Sequence, residues 1–179
     1  MDKVYKLNVA GCERELPLCS VDDKVDIAAF IMFGDVELTV NSATELIKKC
    51  PHCDVLITAE AKGIPLCYEM AKQLNKPYIV ARKGVKVYMR NPIHVELKSI
   101  TTARLQNLYL SEEEYKFMLG RRVLIVDDVI STGESLTAIE TLVNKAGGDV
   151  VGRACVLAEG DAADRKDIIY LEPLPVFQR

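Results

Sequence analysis

The regular alternation of short apolar runs with amphipathic segments, from residue 54 onward, most constrains the fold of this chain. Runs rich in β-branched residues predict buried strands, and apolar residues at three- and four-residue spacing predict helices. The predicted strands are Asp54–Ala59, Pro77–Ala81, Val123–Val126 and Val150–Leu157, and the predicted helices are Ile64–Leu74 and Ser135–Ala146. Because strands that alternate with helices pair in parallel, we expect an α/β fold with a mainly parallel, twisted sheet flanked by helices.

The N-terminal part of the chain is less regular. Val4–Val9 alternates in part, a turn follows at Gly11, and Arg14–Cys19 is expected to return as the partner strand of a hairpin. Ile27–Phe33 is an apolar patch, which a hood, an interface or a buried core helix would explain equally well.

Two capping patterns predict further helix starts. Ser42 with Glu45 three residues later indicates a capping box and a helix over Ala43–Lys49, and Ser111–Glu114 opens a second, short helix. Between these helices, residues 84–110 have mixed periodicity and contain a proline, which predicts a long loop or an extended hairpin.

Composition narrows the class of protein. A chain of 179 residues fits one domain, and its 23 basic and 26 acidic residues leave a net charge of −3 without a block of like charges. We therefore expect neither a nucleic-acid partner nor a membrane partner. No apolar run reaches the roughly 18 residues that span a bilayer, and no signal-peptide pattern opens the chain, so we expect a cytoplasmic protein.

The six cysteines are expected to be reduced thiols, because disulfide frameworks belong to short secreted chains. Cys50 and Cys53 have the spacing of a redox dithiol, but a predicted helix precedes them, so its dipole would disfavour a thiolate at Cys50. A zinc site shared with Cys12 and Cys19 is the alternative, and the wide spacing of that second pair argues against it.

Two adjacent carboxylates, Asp127 and Asp128, follow the most apolar predicted strand. Ligands of open α/β sheets bind beyond the carboxyl ends of the strands, which places both acids near a ligand. The hydroxyl-rich segment Ser131–Ser135, with Gly133 inside it and a helix after it, combines donors, close approach and a positive dipole end suited to phosphate. Because two carboxylates would repel a bare anion, the pattern predicts a phosphorylated sugar whose hydroxyls donate hydrogen bonds to the two acids. An ordinary turn followed by an N-cap would also explain the pattern.

The string Val123–Ser135 resembles the phosphoribosyl-pyrophosphate signature of type I phosphoribosyltransferases: four apolar residues, two acids, two apolar residues, then a hydroxyl-rich loop around glycine. This resemblance implies that Asp127 and Asp128 hold the 2- and 3-hydroxyls of the ribose. It also implies that Ser131–Ser135 wraps the 5-phosphate.

Two more segments resemble elements of that family. Ala59–Gly63 looks like the pyrophosphate loop, which in the family often carries a non-proline cis peptide, and Ala81–Gly84 resembles the basic segment of purine-specific members. Residues 1–40 would then form a small N-terminal hood, and residues 84–110 a flexible loop. The resemblance thus implies a substrate site formed by Asp127, Asp128, Val129, Ile130, Ser131, Thr132, Gly133, Glu134, Ser135, Glu60, Ala61, Lys62, Gly63, Arg82 and Lys83.

The order and spacing of these segments are similar to those of adenine phosphoribosyltransferases, over roughly residues 54–177, so adenine is the expected base. The loop at 84–110 departs from the adenine enzymes and partly resembles xanthine phosphoribosyltransferases, which keeps xanthine as an alternative. A regulatory protein that binds phosphoribosyl pyrophosphate without transferring it is the alternative from another class.

The resemblance also implies the reaction and its participants. A purine ring nitrogen would displace pyrophosphate from C1 of the ribose, with Mg²⁺ bound through the substrate. The candidate catalytic residues are Asp127, Asp128 and Glu96, and either Asp128 or Glu96 would act as the general base. The expected partners are phosphoribosyl pyrophosphate, a purine base and, because family members are commonly dimers, a second copy of the chain.

Overall fold

A computed structural model of the protein describes residues 3–98 and 105–179. Its helices and strands, in chain order, are β1 (Val4–Val9), β2 (Cys12–Ser20), β3 (Val25–Ala28), α1 (Val36–Ile47), β4 (Val55–Ala59), α2 (Ile64–Leu74), β5 (Tyr78–Ala81), β6 (Ile93–Lys98), β7 (Leu105–Leu110), α3 (Glu112–Met118), β8 (Arg122–Ile130), α4 (Glu134–Lys145), β9 (Asp149–Glu159), a 3₁₀ helix (Gly160–Asp164), β10 (Ile169–Leu174) and β11 (Val176–Gln178).

Five strands form a central sheet in the order β10-β9-β8-β4-β5, and every neighbouring pair is parallel. Four consecutive residues of β8, Val123–Val126, are buried, because helices cover both faces of the sheet. The predicted α/β fold with a mainly parallel sheet is confirmed. The carboxyl ends of β4, β5 and β8 all lie at one edge, which positions the segments that follow them together.

Side chains that alternate along the strands supply two apolar clusters, one on each face of the sheet. Leu56 and Leu124 belong to the cluster that includes residues of α1 and α2. Ile57 and Ile125 belong to the cluster that includes residues of α4. Burial on both faces therefore fixes the register and the height at which each strand ends.

The predicted N-terminal hairpin is confirmed as β1 and β2, which belong to a second, antiparallel sheet in the order β1-β2-β3-β11. Its last strand comes from the other end of the chain: Val176 pairs with Ile27, and the rings of Tyr5 and Phe177 lie 5.5 Å apart. The small N-terminal unit thus contains a strand that the sequence analysis did not predict.

The capping box predicted at Ser42 is wrong. Helix α1 begins at the N-cap Asp35, whose carboxylate accepts a hydrogen bond of 3.1 Å from the amide of Leu38, and Ser42 is buried inside the helix. Asp35 follows Gly34, which adopts φ +82°, so the chain turns there rather than later.

Three other local predictions have definite outcomes. The region Ile27–Phe33 is not a helix: its first two residues belong to β3 (Val25–Ala28), and residues 29–33 belong to neither a helix nor a strand. The capping box at Ser111 is present, with reciprocal bonds to Glu114. Strand β8 runs past its predicted end to Ile130, because β9 continues to supply partners.

Residues 84–110 contain the antiparallel pair β6 and β7, so the hairpin alternative is correct for the described part of this segment. Residues 99–104 lie outside the described ranges.

The six cysteines differ in their burial, from the exposed Cys19 to the buried Cys12, Cys53, Cys67 and Cys155. All six are free, and burial raises the pKa of Cys50 to about 12. Across residues 3–98 and 105–179, no group of three or more His, Cys, Asp or Glu side chains is arranged to hold a metal ion. Nor does any helix in these ranges have the length and apolar character needed to cross a membrane.

Candidate functional site

The two adjacent aspartates lie in a cavity at the carboxyl edge of the central sheet. Asp127 and Asp128 are part of β8, and a side-chain oxygen of Asp127 accepts a hydrogen bond of 2.8 Å from the amide of Asp128. The cavity has a volume of about 250 Å³. Its walls are Ala59, Glu60, Ala61, Lys62, Lys83, Leu108, Asp127, Asp128, Val129, Ser135 and Ala138.

Asp128 is a buried acid whose side chain can still accept hydrogen bonds from a ligand. Only 4% of its side chain is exposed, and the Nζ of Lys62 lies 3.2 Å from its Oδ2. That oxygen nevertheless accepts no hydrogen bond from the described residues. A carboxylate oxygen has more than one lone pair, so beside its ion pair with Lys62 this oxygen can accept a hydrogen bond from a ligand hydroxyl or face a cation.

Asp127 lies in surroundings that disfavour its charge. Burial, together with the negative charge of Asp128, raises the pKa of Asp127 to about 8. The ammonium group of Lys62 acts in the opposite direction. Acids whose pKa is shifted by burial and by a neighbouring charge are often found at functional sites.

A second, smaller cavity of about 120 Å³ adjoins the first and shares Asp127, Val129 and Ser135 with it. Its remaining walls are Ile130, Ser131, Thr132, Gly133, Glu134 and Leu136.

Gly133 is the N-cap of α4 and adopts φ +82°, a conformation that glycine tolerates best. Glycine has no side chain with which to cap the helix, and the first residues of α4, Glu134, Ser135 and Leu136, line this small cavity, so the positive end of the helix dipole lies beside it.

The segment after β4 closes the larger cavity. The peptide between Glu60 and Ala61 is cis, as the family resemblance implies. Gly63 packs against the sheet so closely that a Cβ there would overlap Thr58 Oγ1 and lie 3.0 Å from Asp127 Oδ1. Gly63 does not line the cavity itself, but it lets the segment approach the aspartates.

Glu60 joins the ends of β4 and β5. One carboxylate oxygen lies 2.7 Å from the Nε of Arg82, and the other accepts a hydrogen bond of 2.8 Å from the amide of Lys83. The hydrogen bond from the Lys83 amide is the main reason that the pKa of Glu60 is below its usual value. Arg82 is thus held by Glu60, whereas Lys83 lines the cavity.

The backbone of Arg82 links this junction to the hairpin. It exchanges hydrogen bonds of 3.0 and 2.8 Å with Tyr109 of β7. The ends of β4 and β5 are therefore connected to the segment that the sequence analysis interpreted as a flexible loop.

Most of the predicted substrate-binding residues come together in the two cavities. Gly63 and Arg82 lie behind the walls, and Glu96 is exposed on β6, away from both cavities. Three further lining residues were not predicted, because their small or apolar side chains carry no chemical signal of their own: Leu108, Leu136 and Ala138.

The chain is similar to several known proteins. Over 122 residues, or 66% of this chain, the sequence is 38% identical to hypoxanthine/guanine phosphoribosyltransferase of Methanotorris igneus, of which the match spans 62%. Over 113 residues, or 63% of this chain, it is 32% identical to the purine biosynthesis transcriptional repressor PurR of Bacillus subtilis, of which the match spans 39%.

The fold matches adenine phosphoribosyltransferase from Rhodothermus marinus with a TM-score of 0.67 at 20% identity, over 96% of this chain and 94% of that one. Residues 38–174, well over half of the chain, match the phosphoribosyl transferase domain family. The chain belongs to the phosphoribosyltransferase domain family.

Proposed function

We propose that this protein transfers the phosphoribosyl group of phosphoribosyl pyrophosphate to a purine base, releasing pyrophosphate. The observation that carries the proposal is the pair of adjoining cavities, one with buried carboxylates and basic side chains, the other with a helix N-terminus and hydroxyls. A sugar that carries a phosphate at one end and a pyrophosphate at the other suits this division.

Each part of the substrate has a proposed partner. Asp127 and Asp128 accept hydrogen bonds from the ribose hydroxyls, and Ser131–Ser135 binds the 5-phosphate. Lys62 and Lys83, which both line the larger cavity, face the pyrophosphate. Positive charge at this point favours departure of the pyrophosphate, since negative charge develops on the leaving group.

The residues at the cavity are compatible with a magnesium-loaded substrate. Oδ2 of Asp128, which lies 3.2 Å from the Nζ of Lys62, is a hard oxygen ligand of the kind that Mg²⁺ prefers, directly or through water. When bound with the substrate, Mg²⁺ would offset the charge of the pyrophosphate. Asp127 and Asp128 would hold the ion indirectly, by binding the ribose hydroxyls of the substrate. Lys62 would balance the negative charge of the substrate that the ion does not offset.

The protein contributes mainly positioning and electrostatics to the proposed reaction. A ring nitrogen of the base forms the new bond to C1 of the ribose as the bond to pyrophosphate breaks. Of the two candidate general bases, Asp128 lies in the cavity and Glu96 is exposed on β6, so we favour Asp128 for accepting the proton of the base.

The base is the finer part of the proposal. Sequence similarity to adenine phosphoribosyltransferases predicted adenine, and fold likeness to such enzymes is compatible with it. The 38% identity to a hypoxanthine/guanine phosphoribosyltransferase favours a 6-oxopurine instead. We therefore propose hypoxanthine or guanine first, adenine second and xanthine third.

The decisive experiment is an incubation with Mg²⁺, phosphoribosyl pyrophosphate and each of the four bases, with nucleotide formation followed by chromatography. The proposal expects one or two bases to give their nucleoside monophosphate and stoichiometric pyrophosphate. Turnover of none of them, with the protein folded and the substrate bound, would reject the enzyme.

That negative outcome would favour a second candidate, a regulatory protein that senses phosphoribosyl pyrophosphate. The specific observation behind it is the 32% identity to a repressor of purine biosynthesis. Saturable binding of phosphoribosyl pyrophosphate without product from any base would support this candidate.

We also propose that the protein acts as a cytoplasmic homodimer. Ile31, Phe33, Val36 and Tyr68 are large apolar side chains with more than half of their surface exposed. Sedimentation equilibrium at micromolar concentration should give twice the chain mass of 19.9 kDa, and a monomer would contradict the proposal.

A further inference from the structure

The signature motif, residues 123–135, contains no basic residue that could bind a phosphate in the smaller cavity. Of the described residues that line this cavity, none has a basic side chain. A sugar 5-phosphate carries a charge of about −1.5 to −2 near neutral pH. The amides and dipole of α4 offset only part of that charge, so a cation from outside the motif would strengthen binding.

Arg165 is placed to supply that cation. It follows the 3₁₀ helix at the end of β9, where its amide donates a hydrogen bond of 3.2 Å to the carbonyl of Ala162. Its Nη1 lies only 2.6 Å from the position that a Cβ on Gly133 would occupy. The guanidinium group therefore rests against the glycine at the centre of the phosphate-binding segment.

Asp167 holds the other edge of this guanidinium. Its two carboxylate oxygens accept hydrogen bonds from Nε at 2.9 Å and from Nη2 at 2.7 Å. No hydrogen bond among residues 3–98 and 105–179 uses Nη1 of Arg165, the nitrogen nearest to Gly133. A guanidinium group that is already hydrogen-bonded on one edge loses little further conformational entropy when its other edge binds an anion.

We propose that Arg165 binds the 5-phosphate of the phosphoribosyl group, as a cation that Asp167 holds against Gly133. This inference rests on the proposed function and adds to it a binding residue that lies outside the signature motif. It also gives Gly133 a second role, because any side chain there would meet the guanidinium group.

The test compares three ligands in the presence of Mg²⁺ by isothermal titration: phosphoribosyl pyrophosphate, ribose 5-phosphate and inorganic pyrophosphate. Arg165→Gln should weaken the first two about tenfold or more, because a charged hydrogen bond is lost, and leave pyrophosphate within about twofold. The matched control is Arg122→Gln, which breaks a similar fork to Asp54 at the opposite end of β8 and should change none of the three.

Wild-type affinity of Arg165→Gln for ribose 5-phosphate would overturn the inference, and so would an equal loss for pyrophosphate. If the wild type bound none of the three ligands, the proposed function would fall together with it. Circular dichroism checks that Arg165→Gln is folded. If it is not, Arg165→Lys replaces it: a lysine cannot both hold Asp167 and reach Gly133, so a loss of at least about threefold is expected, and unchanged affinity overturns the inference.

Discussion

Asp127 is kept where its own ionisation is unfavourable, and this has a consequence for stability. Burial and the charge of Asp128 raise its pKa from 3.8 to about 8. Between those two values the unfolded chain has released the proton while the folded chain retains it, so stability falls as pH rises. The contribution of the protonated carboxyl is fully present below pH 3.8 and is lost by about pH 8.

Asp127→Asn should therefore stabilise the protein increasingly as pH rises from about 4 to 8, since the amide never ionises. We expect its melting temperature to exceed that of the wild type by at least about 2 °C at pH 8 and by nearly nothing at pH 4. Thermal melts across this range measure the difference. The control is Asp149→Asn, at an exposed position on β9. A difference that does not vary with pH would contradict the account.

Gly63 is the second residue whose environment makes a sharp prediction. In Gly63→Ala the new methyl group would overlap Thr58 Oγ1 and press on Asp127, which costs about 1–3 kcal/mol of unfolding free energy. It should also weaken phosphoribosyl-pyrophosphate binding, because the segment after β4 must move. Gly84→Ala is the control, since a Cβ there meets nothing within 4 Å. Equal stability of the two variants, measured by urea denaturation, would refute the packing argument.

Single residues of the site were predictable where their chemistry and order form a pattern. The acids, hydroxyls and glycine of residues 127–135 carry such a pattern. Leu108 and Arg165 carry none, because an apolar residue in a hairpin and an arginine after a strand are common on any protein. Only the folded chain brings Leu108 to the larger cavity and Arg165 against Gly133.

At the scale of elements, Glu60 connects the ends of β4 and β5, and through Arg82 it reaches the hairpin strand β7. Each segment contributes part of the larger cavity, so their relative positions determine the spacing of Lys62 and Lys83. Glu60 is accordingly a positioning residue for two basic side chains, although its side chain also forms part of the cavity wall.

Glu60→Ala should weaken pyrophosphate binding by about tenfold, because Arg82 and the amide of Lys83 lose a charged acceptor. Hydrogen exchange at the Lys83 amide should become faster in the same variant. The comparison is Glu45→Ala, which removes an exposed pair with Lys48 on α1 and should change neither quantity. Unchanged exchange at Lys83 would argue against this connection.

Some elements could be predicted and others could not, for physical reasons. Helix α2 was predicted with its bounds because its apolar spacing and flanking strands agree. Helix α1 was placed too late, because Ser42 and Glu45 imitate a capping box while Asp35 is the residue that caps the helix. A local pattern cannot distinguish a cap from a buried serine.

At the scale of the whole molecule, the parallel sheet followed from the alternation of strands and helices along the chain. The antiparallel sheet did not, because β11 joins β3 across most of the sequence, and such long-range pairing leaves no local signal. Arg179 pairs with the buried Asp26 across that same contact.

We propose above that a phosphorylated sugar binds at the edge of the parallel sheet through adjacent aspartates. Isothermal titration of phosphoribosyl pyrophosphate with Mg²⁺ tests it most directly, using Asp127→Asn combined with Asp128→Asn. The matched control combines Asp22→Asn with Asp23→Asn, two adjacent exposed acids between β2 and β3. We expect the first variant to fold but to lose saturable binding, while the control binds like the wild type. Retained affinity in the first variant would contradict the proposal.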